Sequence, residues 1–177
     1  MREWPPATPL PPIVLIGQAP GLRASREAVP FAGQSGAKLQ QWFTQAGIVG
    51  DDYWRKIYFA AITRCYPGRL LGAKGDRVPT AAEQALCRPW LDAVLATIDP
   101  PIVVPVGQLA IRTFLGKGPL DRFVGYGFDL GGRHWLPLPH PSGVSTWLNA
   151  PANQARVAAA VGVLRGWLAA AESGSHI

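Results

Sequence analysis

The stretch IVLIGQAPG, residues 13–21, is a continuous apolar run, Ile13 to Ile16, stopped by Gly17 and followed by a turn. A strand wetted on one face alternates apolar and polar residues, whereas a strand covered on both faces reads as an unbroken apolar run. The stretch therefore predicts a strand sandwiched between two layers, with Gly17-Gln18-Ala19-Pro20-Gly21 leaving its carboxyl end.

The same signal returns at residues 57–62 (IYFAAI) and 102–106 (IVVPV), although Pro105 lacks the N–H that a fully paired central position uses. Phe128 to Leu130, Gly131-Gly132 and Arg133 to Leu138 read as a hairpin whose second arm supplies a further strand. Helical periods lie between these runs. One starts at Ser35, carries Leu39, Trp42, Phe43 and Ala46 on one face, and ends at Gly47. Thr80 and Glu83 form a capping box for a helix through Leu86, Trp90, Leu91, Val94, Leu95 and Ile98, in which Pro89 predicts a kink or break. Another follows Gly107 to Leu115, and a last one runs from Asn149 or Pro151 to about Ala171. Alternating strands and helices predict a three-layer α/β/α domain over residues 13–171 with a mainly parallel four-stranded sheet. Residues 1–12, with five prolines, read as an extended lead-in, and residues 172–177 as a tail.

The 177 residues fit one domain with a core large enough to need no disulfides. Seventeen Lys and Arg against 11 Asp and Glu give a net charge of +6 and a pI near 9.8, which points to an anionic partner, nucleic acid above all. The two cysteines, Cys65 and Cys87, the lack of a secretory pattern and of a bilayer-length apolar run predict a reducing cytoplasm without membrane contact.

In an open parallel sheet, ligands bind beyond the carboxyl ends of the strands. The segments there are Gly17 to Gly21, Thr63-Arg64-Cys65, Gly107-Gln108 and Pro139-His140-Pro141-Ser142-Gly143. His140 stands between two prolines, which stiffen its loop, and Ser142, Gly143 and Ser145 offer small side chains and accessible N–H groups suited to phosphate. Gly33 to Gly36, small residues ahead of a helix, offer N–H groups in the same way. The Gly17–Gly21 turn has neither the Gly-Lys-Ser/Thr ending of a Walker loop nor the dinucleotide-fold glycine spacing.

Taken in order, these segments resemble the uracil-DNA glycosylase superfamily, from about Val14 to Leu168. Gly17 to Gly21 is similar to its first motif. Pro30-Phe31-Ala32-Gly33-Gln34-Ser35-Gly36 is similar to the family-4 Pro-Phe-Val-Gly-x-Ala-Gly. Arg64-Cys65-Tyr66-Pro67, Gly75-Asp76-Arg77-Val78-Pro79, Glu83 and Cys87-Arg88-Pro89-Trp90-Leu91 follow the family-4 order. His140 to Ser145 falls between the His-Pro-Ser motif and that of the mismatch-specific enzymes.

The resemblance implies a monofunctional, monomeric DNA-repair glycosylase, cytoplasmic and used at a bacterial-type nucleoid. It would flip uracil from DNA and hydrolyse its N-glycosidic bond, leaving an abasic site. Phe31 would stack on the flipped uracil, Ser35 and Gly36 would approach the DNA backbone, and His140 would donate to uracil O2. Gln18 would hold the water, with Gln18 and Ala19 beside the base. Val144 would fill the vacated stack, with Trp147 or Leu148 next in line for that role. Arg64, Arg69, Lys74, Ser142, Gly143 and Ser145 would hold phosphates.

The chain departs from the resembled pattern in several places. Cys65 and Cys87 match one half of a four-cysteine iron–sulfur set, and Met1 to Pro12 holds no cysteine, so neither cluster nor metal is expected. The uracil-reading Asn aligns with Ala61, leaving the Gln18 backbone or Thr63 to read the base edge. The first-motif acid is replaced by Gln18-Ala19, and an amide cannot take a proton from water at neutral pH. Asp76 and Glu27 are the nearest carboxylates in sequence, and neither matches a family base. The His of a related class that bonds covalently to its product, near the position of Asp76, is missing, so no such adduct is expected. Two other readings fit the same residues: a protein that binds uracil or abasic sites with weak or no cleavage, and an α/β hydrolase of small nucleotides.

Overall fold

The computed structural model describes residues 11–72, 75–142 and 146–173. The run at 13–17 is a strand, β1 (Ile13–Gly17), buried along its whole length. It is flanked by parallel partners β2 (Ile57–Ala61) and β3 (Ile102–Pro105), in register as Ile13↔Ile57 and Ile13↔Ile102. Side chains alternate across the pleat. Ile13 and Leu15 join one core with Leu39, Phe43, Val157 and Leu164. Val14 and Ile16 join the other with Leu91, Leu95, Leu109 and Trp135. Two separate apolar layers explain why the run could not alternate.

The helices are α1 (Leu22–Glu27), α2 (Gln34–Gln45), α3 (Asp52–Arg55), α4 (Ala81–Ile98), α5 (Gln108–Leu115) and α6 (Pro151–Glu172). The buried residues of α2 and α6 lie in the first core, and those of α4 with Leu109 and Ala110 of α5 in the second, which makes the α/β/α sandwich.

Among the described residues the sheet has five strands rather than four, in the order β2-β1-β3-β5-β4. Both arms of the 128–135 hairpin join it: β5 (Arg133–Trp135) lies parallel to β3, and β4 (Phe128–Leu130) pairs antiparallel at the edge. The hairpin lies where its Gly131-Gly132 turn predicts; the fifth strand is its first arm, which extends the sheet by pairing with β5. Pro105 sits within β3 after all. The Val106 N–H still donates to Ile16 O at 2.8 Å, and the proline accepts from Leu138 N at 3.0 Å. Its missing donor falls on the side of β5, where Leu136 N to Val103 O at 2.9 Å and Leu138 N to Pro105 O at 3.0 Å keep the two segments paired around it.

Pro89 does not break α4, which runs unbroken through it. The carbonyl that loses its donor belongs to Ala85, on an exposed stretch of helix. Only Leu91 and Leu95 of α4 are buried; Leu86 and Trp90 stay 77% and 61% exposed.

Candidate active site

Parallel strands and their return loops leave a cleft of about 1380 Å³ at the carboxyl end of the sheet. Of the residues singled out in the sequence, His140, Gln18, Ala19, Phe31, Ala61, Ser35, Arg64, Arg69 and Ser142 line it. They come from loops far apart in the chain, and the register of β1, β2 and β3 is what makes them neighbours. Gly36 and Thr63 do not line it. Lys74, Gly143, Val144 and Ser145 lie outside the described residues.

The chain leaving β5 keeps pairing with β3 as far as Leu138, through Gly107 N to Leu138 O at 2.8 Å. That brings His140 against Gly107, where an added Cβ would sit 3.5 Å from the histidine's own Cβ. The Ser142 N–H donates to His140 Nδ1 at 3.2 Å. An accepting Nδ1 carries no proton, so the neutral ring holds its hydrogen on Nε2. Burial pushes the His140 pKa below its ordinary value of 6.5, partly opposed by the charge of Asp76. The ring is therefore neutral at pH 7, with Nε2–H as its donor.

Phe31 has a left-handed backbone, φ +52°, uncommon for a side chain of its size. Two glycines make room for it. A Cβ on Gly17 would meet the Phe31 ring at 3.1 Å, and one on Gly36 would meet the Phe31 carbonyl oxygen at 1.8 Å. Gly36 thus lets the backbone of Phe31 tuck against the first turn of α2. Its side-chain position is filled by protein, not left open to a ligand. Gly33, φ +102°, precedes α2 and offers no side-chain cap, so the first N–H groups of the helix, beside cleft-lining Ser35, have no partner among the described residues.

Thr63, expected at the base, is 3% exposed. Its N–H donates to Gln18 O at 3.2 Å, which fastens the Gly17–Gly21 loop to the end of β2. Its hydroxyl is buried without a hydrogen-bond partner among the described residues. Gln18 Nε2 donates to Arg77 O at 3.4 Å, so its amide is tethered across to the 75–79 loop. Ala61, opposite Gly17 in the β1–β2 register, presents only a methyl group.

Further residues of the cleft were not legible in the sequence: Arg26, Arg112, Tyr58, Trp90 and, against expectation, Asp76. Arg64, expected at phosphate, has its guanidinium 5.4 Å from the centre of the Trp90 ring. Arg69 lies 3.7 Å from Asp76. Trp90 reads in the sequence as part of the apolar period of its helix, and only the fold shows it exposed at the cleft. No local signal distinguishes Arg26 or Arg112 from ordinary surface arginines.

Cys65 is exposed and Cys87 partly so, and both are free thiols. Two thiolates are half of a four-thiolate cluster set, and among the described residues no three His, Cys, Asp or Glu gather to hold a metal. The donor set does not fit an iron–sulfur cluster. Among the described residues no helix is long and apolar enough to cross a membrane.

Fold and site together define an α/β protein with a basic cleft that pairs a neutral histidine with an aromatic shelf. The chain belongs to the uracil DNA glycosylase superfamily, whose family model matches residues 6–165. It is 31% identical over 133 residues to a type-4 uracil-DNA glycosylase of Thermotoga maritima, covering 73% of this chain and 64% of that protein. A type-4 uracil-DNA glycosylase of Archaeoglobus fulgidus is 29% identical over 100 residues, 56% of this chain and 45% of its own length. A DNA polymerase of Bacillus phage SP01 is 24% identical over 132 residues, 75% of this chain but 13% of its own. The chain thus spans less than two thirds of the length of these relatives.

Proposed function

We propose that this chain is a monofunctional uracil-DNA glycosylase, acting as a monomer in a reducing cytoplasm and leaving an abasic site. The observation that carries the reading is the state of His140: a neutral ring in the cleft, its Nδ1 occupied by the Ser142 N–H and its Nε2–H left to donate. Breaking the bond between C1′ and N1 leaves a uracil anion. A donor already in place, in a site poor in water, stabilises that charge most. Extrusion is required first, since the bond is inaccessible in a stacked duplex. Phe31 offers the face on which the extruded base stacks, and the open N–H groups of α2 beside Ser35 suit a flanking phosphate. Arg26, Arg64, Arg69 and Arg112 give the cleft its attraction for the strand.

The test is release of uracil from a uracil-containing oligonucleotide, followed by strand scission at the abasic site. Free uracil and scission are the expected result. Ala61 and Gln18, without the reading amide or the acid, favour the second reading, a protein that binds uracil or abasic sites and cleaves poorly. Tight binding without release would establish it. Activity on free deoxyuridine nucleotides but not on DNA would instead establish a nucleotide hydrolase.

A further inference from the structure

Hydrolysis of an N-glycosidic bond has two charged sides. His140 serves the departing base, while the sugar carbon turns cationic and the attacking water must lose a proton. Among the described residues two carboxylates line the cleft, Glu27 and Asp76. Glu27 is engaged: its Oε1 accepts from Arg23 Nε at 2.7 Å, one turn along the same exposed helix.

Asp76 is held differently. Its Oδ1 accepts from the Tyr66 hydroxyl at 3.1 Å and faces Arg69 at 3.7 Å. Its backbone bridges to Arg69, and its neighbour Arg77 is clamped by Glu83 at 2.5 and 2.8 Å. All these contacts leave Oδ2 without a hydrogen-bond partner among the described residues. Oδ2 lies against the other catalytic loop, 3.4 Å from where a Cβ on Gly21 would begin. That loop also carries Gln18, whose amide nitrogen is tied to Arg77, the residue after Asp76. The charge of Asp76 also reaches His140, since it raises the histidine's pKa against the effect of burial.

We propose that Asp76 is the general base of the reaction, a role that rests on the glycosylase reading of the same cleft. A water between Asp76 Oδ2 and Gln18 gives its proton to the carboxylate. Its oxygen bonds to C1′ as the bond to N1 breaks, and that electron pair leaves on uracil N1. The anion is held by His140 Nε2–H, and the proton then passes from Asp76 to solvent. Before transfer, the same negative charge stabilises the cationic sugar. The acid missing from the Gly17–Gly21 loop is thus supplied from a different loop, 55 residues after that loop's closing glycine.

The experiment measures single-turnover uracil release from a uracil-containing single-stranded oligonucleotide, with anisotropy for binding and melting temperature for folding. Asp76→Asn keeps an oxygen for Tyr66 and should bind normally while releasing uracil about 10²- to 10⁴-fold more slowly, the span of general-base catalysis. Asp76→Ala should regain rate when formate is added, which a residue that only props its loop would not show. Gly21→Ala is compatible with its backbone, φ −70°, and puts a methyl group in van der Waals contact with Oδ2, so it should slow release by taking the space of the water there. Wild-type rate in Asp76→Asn overturns Asp76 alone. A slowed Asp76→Asn with no formate rescue of Asp76→Ala makes the residue a prop and overturns the proposal as well. No release by the wild type overturns the proposal together with the reading beneath it.

Discussion

Phe31 keeps its φ of +52° because Gly36 has no side chain to collide with its carbonyl. A Gly36→Ala change has to displace that carbonyl, and overpacking of this kind costs about 1–3 kcal/mol. The expected outcome is a lower melting temperature together with weaker binding of uracil-containing DNA, because the aromatic shelf moves with the backbone. At the opposite wall, His140→Ala should slow uracil release by roughly 10²- to 10³-fold, the usual loss for one preorganised donor. Gln18→Ala should slow it less, since an amide only positions water. Abolished release in Gln18→Ala with binding intact would give the amide a larger part. His140 also sets a pH dependence. Its folded pKa lies below its unfolded value, so its contribution to stability is present above about pH 6.5 and declines as pH falls through the interval between the two. His140→Asn should lose that acid-side slope in melting temperature measured against pH.

The amino end of α4 holds the 75–79 loop in place. The Thr80 side chain accepts from the Glu83 N–H, and the Glu83 carboxylate accepts from the Thr80 N–H at 2.7 Å and from the Arg77 guanidinium. The Arg77 hydrogen bonds, then the Thr80 backbone, pull the Glu83 pKa down to about 2 from 4.5. The folded value is depressed, so this support is complete above pH 4.5 and is lost as pH falls toward 2. Glu83→Gln should keep part of the cap yet release Arg77. Faster amide exchange in residues 75–79, with the β1–β3 ladder unchanged, is the expected result. Uracil release should slow in parallel, because Asp76 and the Gln18 tether both depend on that loop. Equal exchange in variant and wild type would show that the backbone bridge between Arg69 and Asp76 holds the loop alone.

The charge of the whole chain is +6, and five arginines line one cleft. Binding of undamaged DNA should therefore weaken linearly with the logarithm of salt concentration, through counterion release. Arg112→Ala should lower that slope by about one if the side chain meets a phosphate. An unchanged slope would place Arg112 off the path of the strand. With two thiols where a cluster needs four, the purified protein should be colourless; visible sulfur-to-iron absorption with bound iron would contradict this.

Much of this architecture is written locally. The unbroken run of β1, the capping box of α4 and the positive-φ glycines that bound α2 each depend on residues a few positions apart, so sequence pattern alone locates them. His140 was legible for the same reason, as a histidine between prolines at a strand end. The place of β4 in the sheet, the helices α1 and α3, and the passage of α4 through Pro89 were not, because edge pairing is set by the assembled sheet, a few residues carry no period, and an exposed turn of helix tolerates a lost bond that no local pattern records. Thr63 turned inward and Gly36 proved to be space for Phe31, outcomes set by neighbours dozens of residues away or by one backbone angle. Asp76 shows the limit most clearly. Nothing in Gly75-Asp76-Arg77 says that one carboxylate oxygen is taken by Tyr66 and the other faces Gly21. Sequence determines which segments become strands, helices and turns, because those are near-neighbour energies. Which side chains converge in the cleft depends on parallel strand register and loop clamps, long-range terms that exist only once the sheet is assembled.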